Sequence, residues 1–530
     1  MSLRRAELAL CCAALAVPAM AAALRPLVFS ASALRLRVSA PAAAGAGAQA
    51  LLEPPVIASR HGVLNATLVA SEARVSVAGQ RVLAKVYNGS YAAPTLVVHP
   101  GDEINVKLVN RLREPTNLHF HGLTVSPGGH ADNVFVSVPA GRSFQYSFRL
   151  PRDAASGTYW YHSHEMAPAA PGGAMGSGAR AAANGPGAAA GPTSAGAPAA
   201  MAPGMAMTPG MMMSSSMTML TEEQVSSGLS GAIEVQGLRR HLPPGLAHVR
   251  ERMLTLKDAE IANGVILAQG VDGNAATTRM LDGQVDPRID IGPGETQLWH
   301  LANIGANVFY DVSLAGQAFT VIAQDGHPAI RAWRAADLVL APGMRFDVLV
   351  RGPRSGTAQL RTLAYDQGFV QYPEQTLARL RSAGGAVRAQ RLPLFIDRHQ
   401  LDLRTRTPAR RRQIVLSEAR ALNLFFIDGR QYDPRRIDVH ARLNTVEEWT
   451  LVNSTTERHP FHLHTYPMQV VAIDGRRVPF DHYQDEVILP PLGKVVVRIR
   501  FAQFAGLTVF HCHILAHEDR GMMANILVTK

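Results

Sequence analysis

Ten of the 20 histidines stand in four compact clusters. They are His119-Phe120-His121, His162-Ser163-His164, His459-Pro460-Phe461-His462-Leu463-His464, and His511-Cys512-His513 with His517 following. A single His-x-His pair arises by chance on many surfaces, but four in one chain point to bound metal. Residues i and i+2 of a strand share a face, so each such pair presents two imidazoles to one side. The pairs His119/His121, His162/His164, His462/His464 and His511/His513 offer eight imidazoles, too many for one tetrahedral zinc. Several ions must therefore share the site. By the same alternation Cys512 points away from His511 and His513, toward a different metal that His459, His517 and Met522 can complete. A thiolate with two imidazoles and a weak thioether is the ligand set of a blue-copper electron-transfer site. The chain joins Cys512 directly to two ligands of the neighbouring cluster, which gives an electron a short covalent route between the two places.

Such pairs need strands to carry them, and the sequence supplies short alternating runs broken by turn residues. Thr95 to His99 before Pro100-Gly101-Asp102, Glu103 to Val109, Ser143 to Phe148, Phe346 to Val350 and Val495 to Phe501 read as strands, whereas helical periodicity is scarce. Three stretches share one phrase, a turn followed by an alternating strand that ends in asparagine: Pro100 to Asn110, Pro293 to Asn303 and Leu443 to Asn453. Their spacing of about 150 to 190 residues predicts one β-sandwich domain used three times. The boundaries are placed at 51–237, 238–390 and 391–530, the last carrying Cys512.

A chain of 530 residues is long enough for three ordinary domains at roughly 100 to 200 residues each. Apolar residues make up 47% and charged ones 18%, a globular balance, and no run of about 20 apolar residues is present to span a bilayer. The net charge of +11 identifies no partner by itself. The arginines Arg404, Arg406, Arg410, Arg411 and Arg412 lack interleaved aromatics, so they read as a solvated loop and no nucleic-acid partner is expected. Residues 1–23 carry Arg4-Arg5, an apolar stretch from Leu8 to Val17, and Ala19-Met20-Ala21, the pattern of an export signal. The paired arginines hint at the twin-arginine route, and the expected location is periplasmic or secreted. Because Cys11 and Cys12 lie inside the signal, the mature chain keeps one thiol, Cys512, and has no internal disulfide. An exported lone thiol is explained by burial or by metal ligation.

One stretch breaks the strand pattern. Between Glu165 and Glu222 the only charged residue is Arg180, and ten of the 18 methionines fall there, among them Met201, Met205, Met207, Met211, Met212, Met213, Met217 and Met219. Its Ala, Gly, Pro, Ser and Met composition cannot bury enough side chain to offset ordering entropy, so a disordered insertion is expected at about 167–220. Thioethers suit Cu(I), so the stretch reads either as a copper-recruiting segment or as a linker of biased composition.

The four motifs together resemble those of three-domain, laccase-like multicopper oxidases, over essentially the whole mature chain. Motif residues are complete at His119 to Gly122, Trp160 to His164, His459 to His464 and His511 to Met523. The resemblance implies an all-β fold of three consecutive cupredoxin-like Greek-key β-sandwich domains, with a trinuclear cluster between the first and the third. It implies four copper ions per chain. His119 and His462 would hold type 2 copper. His121, His162, His164, His464, His511 and His513 would hold the type 3 pair. His459, Cys512, His517 and an axial Met522 would hold type 1. Glu518 and Asp132 resemble the acids that relay protons to dioxygen.

The implied activity is one-electron oxidation of phenolic, aromatic amine or metal-ion donors, coupled to reduction of dioxygen to water. A second reading is a cuprous oxidase of copper tolerance that uses the methionine-rich insertion, although in the best-known examples that segment lies in the third domain. A non-catalytic copper-binding scaffold is a third reading, opposed by the completeness of the ligand set. Copper nitrite reductase does not call for four His-x-His elements.

Overall fold

A computed structural model of the chain describes residues 49–166, 219–270 and 277–530. The expected export signal at 1–23 lies outside the described residues. So does the insertion at 167–220, apart from Met219 and Leu220.

Alternating sequence becomes strand where one face meets a core. In Glu103–Asn110, Ile104, Val106 and Leu108 are buried while Lys107 is exposed. Thr95–Val98, Ser143–Arg149, Arg345–Arg351 and Lys494–Phe501 likewise form where alternation predicts them. The strands that carry the histidine clusters or adjoin them are, in chain order, His119–His121 (β1), Gly157–His162 (β2), Thr296–Asn303 (β3), Arg345–Arg351 (β4), His459–Leu463 (β5), Glu486–Leu489 (β6) and Gly506–Cys512 (β7).

The repeated phrase has a structural basis in its last residue. Asn110, Asn303 and Asn453 are buried, and each makes the same set of bonds. The side-chain oxygen accepts from the backbone N–H two residues on, at 2.8 Å for Leu112, 3.2 Å for Gly305 and 2.9 Å for Thr455. The amide donates to a carbonyl four or five residues on, at 2.9 Å for Glu114, 2.8 Å for Val308 and 2.7 Å for Glu457. It also donates across to the chain leading into a neighbouring strand, at Val138 (2.8 Å), Leu340 (3.1 Å) and Pro490 (3.0 Å). Each asparagine thus fastens a strand end to its own loop and to the opposite side of its sandwich, and satisfies buried carbonyls that would otherwise lack donors.

In the first sandwich a five-stranded sheet that ends in β2 and β1 packs on strands Val63–Val77, Glu103–Asn110 and Ser143–Arg149. The second holds β3 and β4, and the third pairs a six-stranded sheet with a five-stranded one containing β5, β6 and β7. The cores of the second and third are one continuous apolar cluster, from Trp299 and Phe309 to Trp449 and Phe461. The first and second share a sheet: Val265 pairs with Leu83, and the Leu83 N–H donates to the Gly264 carbonyl at 2.8 Å. Joining two edges in this way covers backbone groups that an isolated sandwich would leave unpaired. No helix among the described residues is long and apolar enough to cross a membrane.

A buried polar knot ties the first sandwich to the second beside β2. His300 on β3 lies opposite Asp347 on β4, with Nδ1 2.6 Å from Oδ1, and the Thr158 hydroxyl of β2 joins both residues. Burial alone would lower the His300 pKa, but the bond to Asp347 and its charge outweigh that and raise it to about 9. A histidine raised from its ordinary 6.5 contributes stability that is fully present below pH 6.5 and lost as pH rises through about 9. The difference corresponds to about 3 kcal/mol. Denaturant midpoints measured across that window should therefore fall for the wild type, and His300→Gln should flatten the fall; equal slopes for the two proteins would show that this pair does not link folding to pH.

Candidate metal centre

Strand pairing brings the four histidine motifs together. β1 runs antiparallel to β2 with His119 opposite His162, and β5 runs antiparallel to β7 with His462 opposite His511. Residues opposite each other project from the same face, so each strand pair offers a patch of imidazoles. The patches meet ring on ring: His119 stacks on His464 with centroids 3.9 Å apart, and His121 on His462 at 3.8 Å. All eight rings are at most 1% exposed.

One nitrogen of several rings is held by the protein. The Nδ1 of His119 lies 2.9 Å from Asp132 Oδ1, that of His162 is 2.8 Å from the Ser163 carbonyl, and that of His462 is 2.9 Å from the Asp485 carbonyl. His121 Nε2 is 3.1 Å from Asp485 Oδ1, and His511 Nδ1 is 3.0 Å from the Cys512 carbonyl and 2.8 Å from Glu518 Oε2. An acceptor at one nitrogen places the proton there and leaves a lone pair on the other. Those other nitrogens point inward. His119 Nε2, His162 Nε2 and His462 Nε2 have no hydrogen-bond partner, while His464 Nε2 and His511 Nε2 face each other at 3.0 Å. His121 Nδ1 faces His513 Nε2 at 3.2 Å, and His164 Nε2 lies 3.4 Å from His511 Nε2. Burial, reinforced by neighbouring rings, lowers the pKa of His162 to about 3 and of His164 to about 4, and pushes His119, His121, His462, His464 and His513 well down. Burial thus favours the neutral form of these seven rings, and the unpartnered Nε2 atoms of His119, His162 and His462 lie in a dry space. Buried acceptors without a donor are destabilising unless a cation lies beside them, and imidazole is a good copper ligand, so this donor set fits copper.

The alternation expected at Cys512 is present. Its sulfur lies 3.5 Å from His459 Nδ1 and 3.8 Å from His517 Nδ1, on the other side of β7 from His511 and His513. The Thr455 hydroxyl holds His459 Nε2 at 2.8 Å, and the His517 ring stacks on Phe425 at 4.1 Å. Met522 is fully buried, and its carbonyl accepts from the Cys512 N–H at 3.0 Å. Burial pushes the thiol pKa far above its ordinary value, so a thiolate here requires a cation beside it.

The two acids singled out by resemblance lie at the cluster. Asp132 caps His119 and also accepts from the Phe120 N–H at 2.8 Å; burial raises its pKa to about 8, against that bond. Burial alone would raise Glu518, but His511 and His164 beside it hold it below the usual range. Asp519, next along the chain, is pushed well up by burial and by Glu518.

Three further groups escape motif reading. The fully buried Arg345 grips Asp485 with two bonds of 2.8 and 2.6 Å, and Asp485 in turn orients His121 and His462. Glu486 follows on β6. A charged residue inside an otherwise apolar strand was the available signal, as at Asp485-Glu486 before Val487-Ile488-Leu489.

Multicopper oxidase family profiles match residues 70–178, 249–357 and 404–530, well over half the chain. A multicopper oxidase of Staphylococcus aureus is 25% identical over 456 residues, covering 84% of this chain and 83% of that protein. The multicopper oxidase MmcO of Mycobacterium tuberculosis is 25% identical over 478 residues, covering 87% and 86%. A solved multicopper oxidase from Campylobacter jejuni, described as a metallo-oxidase, superposes with a TM-score of 0.72 at 23% identity, covering 91% of this chain and 96% of that one. The fold is that of three cupredoxin-like β-sandwiches. The chain belongs to the multicopper oxidase family, whose members are copper-dependent oxidoreductases that use dioxygen.

Proposed function

We propose that the chain is an exported, laccase-like oxidase with four coppers. In this reading type 1 copper is held by His459, Cys512, His517 and Met522, type 2 by His119 and His462, and the type 3 pair by His121, His162, His164, His464, His511 and His513. The observation that carries the reading is the convergence of inward imidazole nitrogens next to a separate thiolate and imidazole set. When bound, copper supplies one-electron oxidation of a donor at the thiolate set and reduction of dioxygen to two waters at the imidazole cluster.

The chain's own groups supply the rest. Cys512 and its neighbours His511 and His513 form the covalent route between the two sets. Asp132 and Asp485 orient His119, His121 and His462 so that their lone pairs face inward. Reduction of dioxygen consumes protons, and Glu518 and Asp519 are two adjacent carboxyls whose pKa values their surroundings push apart. Glu518, beside His511 and His164, is placed to deliver a proton toward them. Arg4-Arg5 with the apolar run from Leu8 to Val17 supports export to the periplasm or beyond.

One observation favours the cuprous oxidase reading. Both flanks of the insertion meet the third sandwich: Met219 packs with Val509 and Met523, and the Tyr432 hydroxyl lies 3.4 Å from the Met166 sulfur. An insertion that belongs to the first domain by sequence is therefore rooted on the domain that carries Cys512.

The purified protein should be blue with four coppers per chain, and Cys512→Ser should lose both the colour and donor oxidation, since the colour requires thiolate-to-copper charge transfer. A Cys512→Ser protein that stays blue refutes the type 1 assignment. Replacing Met201, Met205, Met207, Met211, Met212, Met213 and Met217 with serine, and leaving the packed Met219 in place, should raise the KM for Cu(I) several-fold while phenol turnover holds or improves, because tethered thioethers raise the local Cu(I) concentration. Unchanged Cu(I) kinetics would leave the segment a linker.

A further inference from the structure

The register of the third sandwich places a carboxylate among the imidazoles. His511 on β7 pairs with His462 on β5, and His462 pairs with Glu486 on β6. Three residues in one row across antiparallel strands project from one face, so Glu486 looks into the cluster with the two histidines. A Glu486 oxygen, a His121 nitrogen and a His513 nitrogen lie within 4.8 Å of one another.

Glu486 is fully buried, and neither of its oxygens has a hydrogen-bond partner. Among the described residues, the cation whose charge reaches it is Arg345, and that guanidinium makes its bonds elsewhere. The buried Arg345 donates to both oxygens of Asp485, to the carbonyls of Gly343 and Thr158, and lies 3.5 Å from Asp325. The backbone makes room for the group as well: a methyl on Gly343, whose φ is +98°, would collide with Glu486 Oε2 and lie 3.3 Å from the His121 ring. A buried carboxyl without a hydrogen-bond donor is destabilising unless it stays protonated or a cation lies beside it. Here its oxygens face the same space as the lone pairs of His121 and His513.

We propose that Glu486 is a protein ligand to the copper held by His121 and His513, so that the type 3 pair is unequal. The carboxylate beside the other position, formed by His164, His464 and His511, is Glu518, and that one is already held by His511 Nδ1 at 2.8 Å and lies 3.4 Å from His164 Nε2. Carboxylate is a harder donor than imidazole and favours Cu(II) over Cu(I) at the position it serves. The proposal rests on the copper assignment made above.

The test titrates apo-protein with Cu(II) and with Cu(I) against competing chelators, for the wild type, Glu486→Gln and Glu486→Asp. Glu486→Gln keeps the volume and removes the charge. It is expected to lose about tenfold or more in Cu(II) affinity at one of the cluster positions, with little loss for Cu(I) and an altered near-ultraviolet band of the pair. The blue absorption of the Cys512 set should be unaffected. Glu486→Asp, which withdraws the carboxylate by one methylene, should show a smaller loss and serves alone if Glu486→Gln does not fold. Wild-type Cu(II) affinity and spectrum in the folded variants would overturn the proposal and make Glu486 a neutral wall of the cluster. A wild-type protein that binds no copper would instead sink the assignment on which the proposal rests.

Discussion

Buried imidazole nitrogens with no donor in reach, as at Nε2 of His119, His162 and His462, are destabilising in a dry interior unless a cation lies among them. Most of the surrounding structure holds the rings in this arrangement. Two strand pairs from sandwiches far apart in sequence bring their histidine faces together, with His119 stacked on His464 and His121 on His462. Burial favours the neutral form of His119, His162 and His462, so the proton of each sits at whatever acceptor it meets. Asp132, Ser163 and Asp485 are those acceptors for His119, His162 and His462, and they determine that the lone pairs point inward.

Asp485 can serve two rings because it is itself fixed. Arg345, from the second sandwich, grips it with two bonds and also donates to the Thr158 carbonyl on β2 of the first. One fully buried guanidinium thus joins all three sandwiches at the edge of the cluster. Breaking a buried pair of this kind leaves an uncompensated charge and commonly costs about 3 to 5 kcal/mol. The second sandwich therefore has a part in the site although it contributes none of the clustered histidines.

The thiolate set depends on a simpler constraint. Strand alternation sends Cys512 to the opposite side of β7 from its neighbours, while the chain keeps it one residue from each. In the proposed reading, separation of donor oxidation from dioxygen reduction follows from that geometry with no added element. The carboxyls around the imidazole cluster divide by environment: burial dominates at Asp132, whereas His511 and His164 dominate at Glu518.

Much of this was legible in the residues themselves. His-x-His spacing, the odd thiol between two histidines and the thrice-repeated strand phrase depend only on local backbone periodicity, which the amino-acid order determines directly. The asparagines that close the repeated phrase are visible there too, although the carbonyls they reach are not. Asp485 immediately precedes β6, and Glu486 and Arg345 each open a strand, with no motif around any of the three. Their importance comes from register and from which strands of different sandwiches meet, contacts made across 140 residues between Arg345 and Asp485 and 364 between His121 and Asp485. The same holds for Met166 and Met219, which sequence order assigns to the first domain and packing brings to the third. Sequence alone determined which candidate ligands exist and which face of its strand each occupies, because alternation is a property of a single strand. Tertiary structure decided which faces meet, which nitrogen of each ring is left unprotonated and where charge goes uncompensated, because those depend on partners distant in the chain.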